Sequence, residues 1–306
     1  MYNLGRFGMI LPNSSISANK LYPLQKIITE DQTCWISNYS WRPSKLFEGA
    51  DMLLAIIITD FSHQEGIYTT QYNKWYREFR NSLFKTLSYH DVSGIKINGS
   101  IPKMPSSSSA VSFFNKLVGT TALNSIFRAK TSYPIYYFRA VQYWFKVLDI
   151  EPIYDEDGIH KVTGEMKPIY FDNNVQQYAV LAILSSSMFF VYYIMWSSCQ
   201  VVNSRDFNLP ISLSKMAPEY IQRLSELGKA LQHDYQKHSK IKERNYSKKG
   251  RTFTMKKQHF FIKFSKPLIN EIDKVLALHY GFTEEELDFI INYDIKYRMG
   301  EELNEE

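Results

Sequence analysis

At 306 residues, with 44% hydrophobic and 22% charged positions, the chain is long enough for two domains and a large core, and its composition is that of a globular protein. A net charge of +5 excludes a protein that binds polyanions over its whole surface. Two cysteines far apart in sequence, Cys34 and Cys199, exclude a disulfide framework and a cysteine-rich zinc site, and fit a reducing cytoplasm.

The stretch LGRFGMILPNSS (4–15) predicts a buried strand over 7–11 that stops at Pro12 and opens into a polar turn at Asn13, Ser14 and Ser15. KLYPLQKIITED predicts a helix with Pro23 in its first turn and Leu24, Ile27 and Ile28 facing inward. CWISNY reads as a strand and SWRPSKLFEGAD as a polar loop. MLLAIIITDF then reads as a strand covered on both faces. YTTQYNKWYREFRNSLFKTL predicts an amphipathic helix with Tyr72, Trp75, Phe79 and Leu83 on one face, and KMPSSSSA a loop. From 133 to 171 the pattern is that of β-strands, with a turn at Asp157-Gly158.

AVLAILSSSMFFVYYIMW (179–196) carries no charge and nearly reaches the length of a bilayer span. Ser185, Ser186 and Ser187 sit at its middle, where an N-cap starts a new helix, so two short buried helices are expected and no membrane partner. An extended SRDFNLPIS follows. A long helix from Pro218 then carries Ile221, Leu224, Leu227, Leu231 and Tyr235 on one stripe. The chain closes with a helix over 266–280 that ends at Gly281, and with one opened by the Thr283 and Glu286 capping box.

Charge is unevenly spread. Residues 237–266 hold eleven Lys and Arg against one acid, Glu243, so this segment carries about +10 and the remainder about −5. Catalytic patterns are missing. No two glycines lie two apart, no prolines are adjacent, and there is no H-x-x-x-H, G-x-S-x-G or close Cys/His cluster. Glu165-Met166-Lys167 has the spacing of a metal-nuclease half-site, a tripeptide common by chance.

LGRFGMILPNSSISANKL and RPSKLFEGADMLLAIIITDF resemble the later conserved segments of TaqI-like, gamma-class adenine-N6 DNA methyltransferases of restriction-modification systems. YYFRAVQYWFKVL and YAVLAILSSSMFFVYYIMWSSCQVVNSRDFNLPI resemble the target-recognition region of those enzymes. IDKVLALHYGFTEEELDFIINYDIKYRMG resembles their closing segment. The patches follow the family's order.

The resemblance implies an α/β fold class: a C-terminal piece of a Rossmann-like methyltransferase sheet over 1–62, a mixed α+β target-recognition domain over 63–215, and C-terminal helices over 216–306 with the basic segment. It implies S-adenosylmethionine as cofactor of the complete enzyme, no metal, and a cytoplasmic location. The Gly-containing cofactor loop and the Asn/Asp-Pro-Pro-aromatic motif are absent from this sequence. The chain is therefore expected to be a split subunit, truncated product or fragment, inactive alone. Its expected partners are double-stranded DNA and an upstream domain or subunit that carries both elements. The alternative is a non-enzymatic DNA-binding specificity subunit.

Within the family pattern Phe47 matches the aromatic that stacks on the flipped base, and Asn13 and Ser14 would line the same pocket. Phosphate and base-edge contacts need Lys and Arg, which makes Arg42, Lys45, Arg139, Lys146, Arg205, Lys248, Lys249, Arg251, Lys256 and Lys257 the DNA-facing candidates.

Overall fold

Strands and helices of mixed α/β class build two units in a computed structural model that describes residues 5–61, 65–95, 99–117, 121–211, 213–248 and 250–300. The first unit is Met1–Asn115 with Tyr192–Val201, and the second is Lys116–Val191 with Val202–Glu306. The boundaries expected near 62 and 215 both fall inside a unit. Gly66–Asn73 supplies a strand of the first sheet, and Pro218–Lys237 forms a helix that packs on the helix Asn174–Ser185.

The first unit contains β1 (Arg6–Pro12), α1 (Ser14–Ser17), α2 (Tyr22–Thr29), β2 (Thr33–Tyr39), β3 (Leu54–Asp60), β4 (Gly66–Asn73), β5 (His90–Asp91) and α3 (Ser108–Lys116), whose last residue falls in the second unit. Its sheet has the order β1-β3-β2-β4-β5, with β2 and β4 parallel and the other neighbours antiparallel. Alternation along β3 puts Ala55, Ile57 and Thr59 on a fully buried face. The other face holds Leu54, which is buried, and Ile58, which is 41% exposed, so β3 is only partly covered there.

β1 differs more from expectation. It is an edge strand with β3 as its only neighbour among the described residues, and Phe7 and Ile10, on opposite faces, are both 49% exposed. On α2 the buried positions are Gln25 and Ile28, while Ile27 faces solvent. The Gln25 amide donates to the Ser15, Ala18 and Gly99 carbonyls, and these bonds set that rotation. The helix expected around 68–87 is a strand followed by a 3-10 segment, Arg77–Lys85. Pairing with β2 overrides the helical periodicity there. Trp75 and Leu83 still reach the core with Tyr39, Leu46 and Leu54, and Phe79 does not. KMPSSSSA is only partly loop, since α3 begins at Ser108.

The second unit holds β6 (Pro134–Phe138), β7 (Val147–Leu148), β8 (Tyr154–Glu156), β9 (Ile159–His160), β10 (Met166–Tyr170), α4 (Asn174–Ser185), the start of α5 (Ser187–Trp196), α6 (Pro218–Lys237), β11 (Ser239–Lys248), β12 (Arg251–Phe260), α7 (Lys266–Tyr280), α8 (Glu284–Asn292) and α9 (Ile295–Arg298). Its strands form two antiparallel sheets, β10-β6-β7 and β11-β12-β8-β9. Asp157 and Gly158, both at positive φ, make the predicted turn between β8 and β9.

α4 and α5 meet at a 61° bend, where the Ser186 hydroxyl accepts from the Phe189 N–H at 3.0 Å as the expected N-cap. Among the described residues no single helix is long and apolar enough to cross a membrane. α4 and α6 approach so closely that a Cβ on Gly228 would collide with the Tyr178 carbonyl.

A buried polar centre joins these helices. The Arg298 guanidinium lies 4.0 Å from the Trp144 ring centroid and 4.6 Å from that of Phe190, and donates to the Tyr143 and Tyr293 carbonyls. Asp273 on α7 accepts from the Met188 N–H in the first turn of α5 at 3.0 Å. Burial pushes the Asp273 carboxyl up to about 6, against the opposing pull of that N–H, Lys266 and Arg298. Removing one partner from such a buried charge set costs about 3–5 kcal/mol.

Because the folded Asp273 keeps its proton up to about pH 6 and the unfolded one loses it near pH 4, its burial penalty grows as pH rises through that window. Asp273→Asn does not titrate. Thermal unfolding should therefore show the wild type losing stability relative to Asp273→Asn between pH 4 and 6, by up to roughly 3 kcal/mol.

Candidate nucleic-acid interface

β11 and β12 pair over ten positions, from Ser239 opposite Phe260 to Lys248 opposite Arg251, with Gly250 in the turn at φ +79. Opposed residues in an antiparallel pair share a face, and successive residues alternate. One face therefore carries the pairs Lys240 and His259, Lys242 and Lys257, Arg244 and Met255, and Tyr246 and Phe253. The other carries Glu243 with Lys256 and Asn245 with Thr254.

The two faces differ in how their polar groups are satisfied. On the second face Glu243 and Lys256 form an ion pair at 3.3 Å, Asn245 and Thr254 a hydrogen bond at 2.8 Å, and Asp155 faces His160 at 3.3 Å. The first face gathers cations instead, and its one acid, Glu156 opposite Met255, is taken up by Arg251 at the ribbon's tip. Lys242 stands directly opposite Lys257, an arrangement that destabilises a sheet. The Lys257 ammonium lies over the Tyr154 and Tyr246 rings at 5.0 and 5.7 Å, and Tyr246 stacks on Phe253 at 5.9 Å. Neither Lys242 nor Arg244 has an ion-pair partner among the described residues. Unneutralised cations interleaved with aromatic rings match a phosphate backbone and its bases.

The predicted DNA-facing residues fare unequally. Lys257 belongs to the cationic face. Lys256 is paired with Glu243 on the other face, and Arg251 with Glu156 and Asp157, both at 3.0 Å. Lys248 closes the ribbon at its register position, and Lys249 lies outside the described residues. Arg205 has a mostly buried side chain, with Asp206 at 3.8 Å. Arg139 is half-buried, its Nε enclosed without a hydrogen-bond partner. Lys146 reaches over the Phe138 ring at 4.4 Å, in a cleft of about 260 Å³. Lys240, Lys242 and Arg244 were not among the predicted contacts, although the alternation in KIKERNYSK marks them as one side of a strand.

In the first unit, the loop between β2 and β3 is held by Arg80, which donates to the Lys45 and Leu46 carbonyls at 2.9 and 2.6 Å. Leu46 fills the core below the loop, while Phe47 is 41% exposed, at the start of a turn closed by the Ala50 N–H on its carbonyl. Lys45 pairs with Asp51, and Arg42 is exposed over the Trp41 ring at 4.3 Å. Asn13 is buried rather than open to a pocket, its amide donating to the Ser198 carbonyl at 3.1 Å while its own side-chain oxygen has no partner. Ser14, half-buried, starts α1.

No protein-family model matches the chain, and no curated protein matches it. Among solved structures it is similar to the Type IIL restriction-modification enzyme MmeI in complex with DNA, at 8% identity and a TM-score of 0.47, over 96% of this chain and 49% of that one. The chain spans about half the length of that protein.

If the one-sided face is the polyanion-binding surface, reversing its charge should matter more than reversing charge elsewhere on the same ribbon. Lys242→Glu with Arg244→Glu should elute from a heparin column at clearly lower salt than wild type, and Lys256→Glu close to wild type.

Proposed function

We propose that this chain is the DNA-binding, target-recognition portion of a site-specific adenine-N6 DNA methyltransferase of a restriction-modification system. The observation that carries the reading is the cationic, aromatic face of the β11–β12 ribbon. The opposed pair Lys242 and Lys257 weakens the ribbon in the absence of a counter-charge, and a DNA phosphate backbone supplies one.

The sequence patches supply the rest of the proposal, including its gamma-class character. Phe47 is exposed on an anchored loop, which suits a ring that must stack on a flipped adenine. The exposed apolar residues on both faces of β1 support its reading as a strand of a larger Rossmann-like sheet, whose further strands would come from the cofactor-carrying partner. The residues of this chain do not fit S-adenosylmethionine. It has no G-x-G loop and no Pro-Pro-aromatic motif to hold the cofactor and the reacting amino group. Its own contribution is to hold the duplex by Lys240, Lys242, Arg244 and Lys257 and to offer Phe47 to the extruded base.

Filter binding of the purified chain to duplex DNA over a salt series tests this reading. Four phosphate contacts predict that log K falls against log salt with a slope of roughly −3 to −4. The chain alone should transfer no methyl group from S-adenosylmethionine to DNA. Salt-insensitive or absent DNA binding contradicts the proposal, and methylation by the chain alone contradicts the dependence on a partner.

A further inference from the structure

Near the base of the ribbon lies the cleft that holds Lys146, walled in part by Phe260 and Phe261 from the end of β12 and the residue after it. Lys240 on the cationic face lies with its ammonium 5.9 Å from the Phe261 ring, and Phe261 forms part of the cleft wall. The cleft, about 260 Å³, is walled mainly by Phe138, Tyr143, Trp144, Phe260 and Phe261. Lys146 and Lys263 are among its lining residues, the Lys263 ammonium lying 5.3 Å from the ring of Phe264 outside the lining, and no carboxylate residue lines it. The Lys146 ammonium sits over the Phe138 ring at 4.4 Å and reaches the Phe260 ring at 5.9 Å, so the positive charge lies among the aromatic walls. Lys263 is only 6% exposed.

Flat apolar walls combined with an ammonium group and no lining acid select a ligand that is flat and negatively charged. A nucleotide has both properties, its base for the rings and its phosphate for Lys146. Phe261 is the point at which the cleft wall comes near the surface proposed to carry the DNA backbone, with the Lys240 ammonium 5.9 Å from its ring.

We propose that this cleft takes one unstacked nucleotide of a bound DNA strand, with its base against the aromatic wall and its phosphate at Lys146. Gln142 is the one neutral amide in the lining and is placed to meet the edge of the base. The site uses none of the residues of the Phe47 loop. It rests on the DNA-binding reading and adds a second point of base contact to it.

Photocrosslinking tests this with the full chain and a random-sequence duplex pool in which every thymine is replaced by 5-iodouracil, a base that crosslinks to rings stacked on it. The expected result is crosslinks at Phe138, Trp144 or Phe261, reduced severalfold in Phe138→Leu, which keeps an apolar side chain. Lys146→Ala should lower the salt slope of duplex binding by about 1. Crosslinks confined to other residues, with duplex binding intact and the slope of Lys146→Ala unchanged, would overturn this site while leaving the DNA-binding reading in place. Failure of the wild-type chain to bind the duplex pool at all would overturn both.

Discussion

The register of β11 on β12 is the constraint on which the proposed interface depends. A slip of one residue would turn Lys240, Lys242 and Arg244 to the face now occupied by the Glu243 pair, and the separation of charge would be lost. Several contacts fix that register. Tyr246 stacks on Phe253, Asn245 is bonded to Thr254, and Glu243 is paired with Lys256. Asp157, from the β8–β9 turn, accepts from the Thr254 N–H and from Arg251, and these two donors hold its carboxyl below the usual range. The acids near the ribbon thus fasten its geometry: Glu243 holds Lys256, and Glu156 and Asp157 hold Arg251 at the tip of the cationic face, while Lys242 and Arg244 have no ion-pair partner among the described residues.

The base of the ribbon is fastened as firmly. Ser265, just before α7, donates to Asp234 near the end of α6 at 2.6 Å, and Gln258 donates to Gln236 and Ser239. The Phe261 N–H meets the His238 carbonyl at 2.9 Å. α7 in turn is tied to the start of α5 through Asp273, and the Arg298 guanidinium supplies compensating charge from between two aromatic rings. The polar core of the helical body therefore supports the two helices from which the ribbon projects.

Much of this was legible in the sequence where local chemistry decides the outcome. The serine N-cap between α4 and α5, the Gly281 stop, the Thr283 capping box and the Asp157-Gly158 turn all require particular residues at particular φ/ψ values, and each forms. Where tertiary pairing decides, local pattern misleads. The helical spacing of Tyr72 and Trp75 lost to parallel pairing with β2, and Ile27 lost the buried side of α2 to the hydrogen bonds of Gln25. The basic segment was visible as charge, but its two faces follow only from the hairpin register. That is why Lys256, prominent in the charge run, proved to be paired across the ribbon while Lys242 and Arg244 did not; Arg251, at the tip of the cationic face, is paired instead by Glu156 and Asp157 from β8 and the turn after it. Asn13 looked like a pocket residue because it follows a strand, yet the Ser198 carbonyl that buries it is far away in sequence.

Lysine footprinting by mild acetylation, with and without duplex DNA, tests the one-sided ribbon most directly. DNA should protect Lys240, Lys242 and Lys257 severalfold while leaving Lys256 on the opposite face and Lys229 on α6 as reactive as in the free protein. Equal protection of Lys256 and Lys242, or protection of neither, would contradict the account.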